Sequence, residues 1–320
     1  MSVATQTFAR ADDPHGLKFE AISDQVDNIN VAKLLAQRDG IPTQEEVDAY
    51  TAAVFDQEKD KTAFRQYDDS EDNSPRKFYL EQHTKQTVAF NVAARKTAFE
   101  KPRAVMGVWE AMEMLNKLVD PSDPDTDATQ IEHLLQTAEA MRKDGKPEWM
   151  QVTGLVHDLG KLLYFFGSEG SWDVVGDTFV VGCEFPQDKI VYPGTFEANP
   201  DLHHTVYSQK NGIYKEHCGL ENVMITWGHD EYLYMVCKGQ SSLPQAALNM
   251  IRYHSFYPWH REGAYRHLMN GEEDEQALKD VLAFNPYDLY SKSDSRPNTE
   301  ELRPYYEGLI AKFFPEKINW

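Results

Sequence analysis

The alternation of apolar and polar positions along this chain is helical far more often than it is extended. Residues 76–100 hold no Pro or Gly and carry apolar side chains at helical spacing, which predicts one long helix. Pro102 ends it, and residues 105–119 give a second amphipathic helix. Further helices are predicted over residues 128–143, 148–166, 220–238, 243–256, 259–269, 274–284 and 299–314. Between them, residues 120–125 (Asp-Pro-Ser-Asp-Pro-Asp) read as a rigid, carboxylate-rich loop. Residues 171–195 break the helical period with β-branched runs punctuated by Gly and Pro, so a small hairpin or loop excursion is expected there. The fold class is mostly α: a single-domain helical fold with a minor β element.

The N-terminal part reads differently. Residues 1–60 are polar and acidic with weak periodicity, with short helices possible at 31–37 and 44–55, and form an arm packed on the body. Residues 66–75 are an acidic linker. The organisation expected is therefore an arm over 1–60 and a helical domain over 61–320.

One predicted helix carries unusual chemistry. It contains Gly154-Leu155-Val156-His157-Asp158-Leu159-Gly160-Lys161. On a helical wheel Val152, Leu155, Leu159, Leu162 and Phe166 form an apolar back, and His157 lies opposite, beside Gly154, Gly160, Lys161 and Tyr164. Asp158 is one step, about 100°, further round. A neighbouring imidazole and carboxylate in an apolar segment are costly to bury unless a cation offsets the desolvation. A divalent metal would do so, and more ligands should then lie on neighbouring helices.

His229 shares a face with Ile225, Leu233 and Val236, and His254 lies beyond Ala247, Met250 and Ile251, so both should be buried. A buried histidine is ordinarily a hydrogen-bonded core residue, so neither is evidence alone. His133 sits roughly 130° from the centre of the stripe formed by Ile131, Leu134, Leu135, Ala138 and Met141, which predicts an exposed side chain. Asp288 lies in an aromatic loop, Asn285-Pro-Tyr-Asp-Leu-Tyr290, where a turn or cap role is equally open. Together these are four imidazoles and two carboxylates, the inventory of a two-metal site. Nitrogen and oxygen ligands without thiolate suit Fe, Mn or Zn.

Composition narrows the partners. The net charge of −20 argues against nucleic acid or an anionic membrane as a main partner. With 41% hydrophobic residues the chain is an ordinary globular one, and no apolar run approaches the roughly 20 residues of a membrane helix. Three cysteines, Cys183, Cys218 and Cys237, without C-x-x-C spacing fit neither a disulfide framework nor a zinc ribbon; with no visible signal peptide, a cytoplasmic location is expected. There is no G-x-S-x-G, no P-loop and no G-x-G-x-x-G sequence.

The order His133, His157-Asp158, Asp288 resembles the HD-domain superfamily of helical, metal-dependent proteins. Longer strings are more specific: His133-Leu-Leu-Gln-Thr-Ala-Glu-Ala, Gly154 to Lys161, Val175-Gly-Asp-Thr-Phe179, His217-Cys-Gly-Leu220, Trp227-Gly-His-Asp-Glu-Tyr232, Phe256-Tyr-Pro-Trp-His260, Asp288-Leu-Tyr290 and Leu302-Arg-Pro-Tyr-Tyr306. From about Ala63 to Trp320 the chain is similar to the myo-inositol oxygenase family. The resemblance implies a mixed-valent Fe(II)/Fe(III) pair held by His133, His157, Asp158, His229, His254 and Asp288, with Asp158 bridging. It implies ring cleavage of myo-inositol by O2, giving D-glucuronate and water. Lys161 and Asp158 would be catalytic. Arg65, Asp120, Lys161, Gly176, Asp177, His254, Ser255 and Lys292 would line the substrate pocket, with Arg65 in a lid. The chief alternative is a metal-dependent phosphohydrolase acting on nucleotides; a non-catalytic module with a structural metal is the other.

Overall fold

A computed structural model describes residues 74–98, 100, 102–116, 130–290 and 297–320. The expected N-terminal arm, Arg65, Asp120 with its loop, and Lys292 lie outside the described residues. Helices dominate what is described: α1 (Ser74–Lys85), α2 (Val88–Ala98), α3 (Val108–Leu115), α4 (Gln130–Lys143), α5 (Glu148–Val156), α6 (His229–Gln240), α7 (Gln245–Tyr253), α8 (Glu272–Tyr290) and α9 (Thr299–Phe313). A two-stranded antiparallel sheet, β1 (Val105–Met106) with β2 (Ile318–Asn319), completes the frame. Among the described residues no helix is long and apolar enough to cross a membrane.

The long helix expected over 76–100 is two helices. The break at Gln86-Thr87 is held from outside: the Asn199 side-chain amide donates to the His83 and Gln86 carbonyls, and Asp201 accepts from the Val88 N–H at 2.7 Å. Thr87 adds its own cap, accepting from the Phe90 N–H. These partners are over 100 residues away, so local periodicity could not show the break. Residues 105–106, read as the start of a helix, are instead the strand paired with the C-terminal residues. The 171–195 excursion is a loop, not a hairpin, tied down by an isolated bridge between Val180 and Ile225.

Helices α4 and α5 pack against each other, as do α6 and α7, and α7 and α8. The wheel's apolar back is correct: Val152, Leu155, Leu159 and Leu162 are fully buried, in one core cluster with Leu134, Leu135 and Leu233. Each such leucine contributes about 2 kcal/mol by its burial. A second cluster gathers Phe179, Phe196, Phe256, Trp259 and Val281 around the 179–196 loop. His83 belongs beside it, stacked on Phe196 and hydrogen-bonded to Thr195; burial pushes its imidazole down to about 3.

Candidate metal centre

The element bearing His157-Asp158 changes pitch at that pair. The α-helix ends at Val156, and residues Leu159–Phe166 continue as a 3-10 helix. This corrects the single helix expected over 148–166. Gly160 is the reason the segment can sit where it does: a Cβ there would overlap the His229 carbonyl oxygen. In a 3-10 helix positions i and i+3 eclipse. Lys161 therefore falls over Asp158, with Nζ 2.9 Å from Oδ2. Gly160→Ala is expected to cost about 3 kcal/mol or more, because the obstructing atom is backbone and cannot move aside. A denaturant melt checks this; an unchanged midpoint would contradict the close approach.

The other ligand candidates come from element ends as well. His229 is the first residue of α6, not mid-helix, because Ile225 is bridged to Val180 and Gly228, with extended backbone, caps the helix. His254 follows the last residue of α7. Asp288 lies in the last turn of α8, which continues through Pro286, so the loop expected there is helix. His133 is 5% exposed, against the wheel. Helix α4 is buried on nearly every side between Gln130 and Met141, so its stripe marks only one of two buried faces.

All six side chains converge, and the other five divide between the two oxygens of Asp158. Its Oδ2 lies 3.7 Å from His133 Nε2 and 3.5 Å from His157 Nε2. Asp288 Oδ1 joins that group, 3.0 Å and 3.2 Å from the same two nitrogens. The other oxygen of Asp158, Oδ1, lies 3.4 Å from His229 Nε2 and 3.5 Å from His254 Nε2. The groups His133–His157–Asp158 and Asp158–His229–His254 each bring their donor atoms within 4.8 Å of one another. His157, His254 and Asp288 meet the same test, so the two groups abut.

Hydrogen bonds set the direction of these imidazoles. Nδ1 of His157 meets the Gly154 carbonyl at 2.8 Å, that of His229 the Val174 carbonyl at 2.8 Å, and that of His254 the Ile251 carbonyl at 3.0 Å. A carbonyl only accepts, so each Nδ1 carries a proton and each Nε2 is the nitrogen turned inward, where a metal can take its lone pair. Nε2 of His229 and Nε2 of His254 lie 3.2 Å apart amid carboxylate oxygens, so either a proton on one of them or a metal ion must separate two lone pairs. Such a set is repulsive without a cation, and its nitrogen and oxygen donors fit a first-row divalent or trivalent metal. Burial opposes charge on His254, but the carboxylates of Asp230, Asp158 and Asp288 outweigh it and push its pKa up to about 9. Burial likewise opposes charge on Asp158, yet Lys161, His157 and the other imidazoles hold it well below the ordinary carboxylate range.

The candidate substrate contacts that are described lie alongside. Val174 is fixed on His229, and the Thr178 N–H donates to the Ser255 carbonyl at 2.8 Å, which strings Gly176-Asp177 between them. Gly176 has φ +94°, and a Cβ would meet Phe78 at 2.6 Å, so this position requires glycine. Two residues escaped the sequence reading. Tyr79 of α1 hydrogen-bonds Asp177 at 3.2 Å, and nothing in its helix pattern marks it. Asp230 touches His229 Nε2 at 2.7 Å, and its signal was available: His229-Asp230 repeats the adjacent pair of His157-Asp158. His260 is fully buried and donates from Nε2 to the His254 carbonyl.

The family model described as myo-inositol oxygenase matches residues 72–320. The chain belongs to the myo-inositol oxygenase family. It is 46% identical to inositol oxygenase 1 of Arabidopsis thaliana over 297 residues, covering 90% of this chain and 95% of that protein. It is 48% identical to inositol oxygenase of Sus scrofa (82% and 93% covered) and 46% identical to that of Dictyostelium discoideum (83% and 92%). Within this inositol oxygenase family member, the elements bearing His229 and His254 are locked together by a buried ion pair. Arg252 donates to both Glu231 oxygens, at 2.8 and 3.2 Å, and also binds Glu221. Arg252→Met would leave the Glu231 carboxylate buried without that fork, costing about 3 kcal/mol. Thermal melting checks it; an unchanged Tm would contradict a rigid clamp.

Proposed function

We propose that this chain is a di-iron myo-inositol oxygenase, converting myo-inositol and O2 to D-glucuronate and water. The observation that carries the reading is the division of five buried side chains between the two oxygens of a sixth, the Asp158 carboxylate. One iron would be held by His133, His157, Asp288 and Asp158 Oδ2, and the other by His229, His254 and Asp158 Oδ1. A mixed-valent iron pair supplies Lewis acidity toward an inositol hydroxyl and the redox capacity for a four-electron oxidation by O2.

The chain's own residues do the rest. Three backbone carbonyls hold the imidazoles in the ligating tautomer. Lys161, 6% exposed, keeps a cation beside the bridging carboxylate and next to where a substrate oxygen would lose its proton. Asp177, Ser255 and the backbone at Gly176 would pair with ring hydroxyls, with His254 at the boundary of metal and substrate. Arg65, Asp120 and Lys292 are assigned to the same pocket by their family motifs. The oxygenase domain would span residues 61–320, with the arm over 1–60. A cytosolic location suits three free thiols.

The test is direct. Iron-loaded protein given myo-inositol should consume one O2 per D-glucuronate formed. Phosphate release from a nucleotide panel, with no inositol-dependent O2 uptake, would favour the phosphohydrolase alternative and overturn the reading.

A further inference from the structure

Asp230 is 1% exposed; its Oδ1 lies 2.7 Å from His229 Nε2 and 3.4 Å from His254 Nε2, and beyond those ligand contacts it makes two to Ser255. Its Oδ2 accepts from the Ser255 N–H at 3.0 Å, and its Oδ1 lies 3.1 Å from the Ser255 hydroxyl. That hydroxyl has one proton and two possible acceptors, Asp230 Oδ1 and His229 Nε2, the latter at 3.2 Å. Because His229 Nδ1 donates to Val174, the Nε2 lone pair is the one a metal takes. With that lone pair occupied, the Ser255 proton goes to Asp230. The Ser255 oxygen is then left with lone pairs alone to offer, in a residue still 8% exposed.

The surroundings keep this arrangement fixed. Ser255 is held at its carbonyl by the Thr178 N–H, from the segment that carries Gly176 and Asp177. Asp230 sits in the first turn of α6, where a carboxylate is favoured, and its neighbour Glu231 is locked to Arg252 of α7. Neither partner can swing away without breaking a buried contact.

We propose that Asp230 is a positioning residue that sets the Ser255 hydroxyl as a pure hydrogen-bond acceptor, so that the pocket selects a substrate hydroxyl that donates at that point. The proposal rests on the inositol oxygenase reading and deepens it, by assigning the polarity of one substrate contact. In Asp230→Asn the amide can donate to Ser255, the serine proton is released toward the pocket, and the contact inverts.

The test is inositol affinity of the full-length, iron-loaded protein under argon, where no turnover occurs. Asp230→Asn is expected to retain iron and to weaken myo-inositol binding about tenfold, as is Ser255→Ala; tenfold is about 1.4 kcal/mol. The double variant should be no weaker than Ser255→Ala, because Asp230 acts through the serine. Effects that multiply, or an unchanged affinity in Asp230→Asn, would overturn the proposal. A second measurement avoids dependence on that variant's folding. Across the six monodeoxy-monofluoro inositols, one ring position should lose about tenfold in affinity for the unaltered protein, since fluorine accepts but cannot donate. That loss should vanish in Ser255→Ala, and a series with no such position would also overturn the proposal. If the unaltered protein binds no myo-inositol at all, the functional reading itself falls and this inference with it.

Discussion

Asp158→Ala is expected to break the iron pair. Each oxygen of this carboxylate serves a different group of imidazoles, so one substitution removes a donor from both. What remains is two imidazoles alone on one side, too few to hold iron, and two imidazoles with one carboxylate on the other, the smallest set that still holds ferrous iron. Iron content of protein purified after loading should fall from two per chain to one or fewer, and inositol-dependent O2 uptake should disappear. Asp158→Asn sharpens the point, because it keeps one acceptor oxygen in nearly the same place. It should bind one iron at most. Retention of two irons by either variant would show that the carboxylate does not bridge.

Lys161→Ala should have the opposite profile. The ammonium is 2.9 Å from Asp158 Oδ2 but supplies no ligand atom, so the substitution leaves all six donors in place. Iron content should therefore be unchanged. Turnover should fall by about 10²–10³-fold, the usual consequence of removing one preorganised charge from a water-poor site. Steady-state O2 consumption with parallel iron analysis checks both halves. Normal turnover would remove Lys161 from the chemistry, and lost iron would make its role one of holding the centre together.

How much of this the sequence shows depends on whether a feature is local. The apolar back of the 148–166 segment was legible, because Val152, Leu155, Leu159 and Leu162 keep to one side in either helix type. The change of pitch at His157-Asp158 was not, since it accompanies a backbone approach between Gly160 and His229. His133 was misplaced for a related reason: a buried face built of polar side chains looks, to a hydrophobic wheel, like a wet one. Its burial is explained by what it faces, Asp158 and Asp288. The β pair failed similarly, joining residues 105–106 to residues 318–319. Asp288 was read as loop because Pro286 signals a break, yet the helix tolerates it. The ligand set itself came from motif resemblance; spacing alone supplied only candidates, and it passed over Asp230.

The claim on which the account stands is that one buried carboxylate joins two irons. Mössbauer and electron paramagnetic resonance spectra of the iron-loaded protein, with total iron counted on the same sample, test it most directly. The account predicts two irons per chain, exchange-coupled in the mixed-valent state, with a half-integer-spin signal that shifts when myo-inositol is added. A single iron per chain with iron in excess, or two irons with no magnetic coupling, would contradict it.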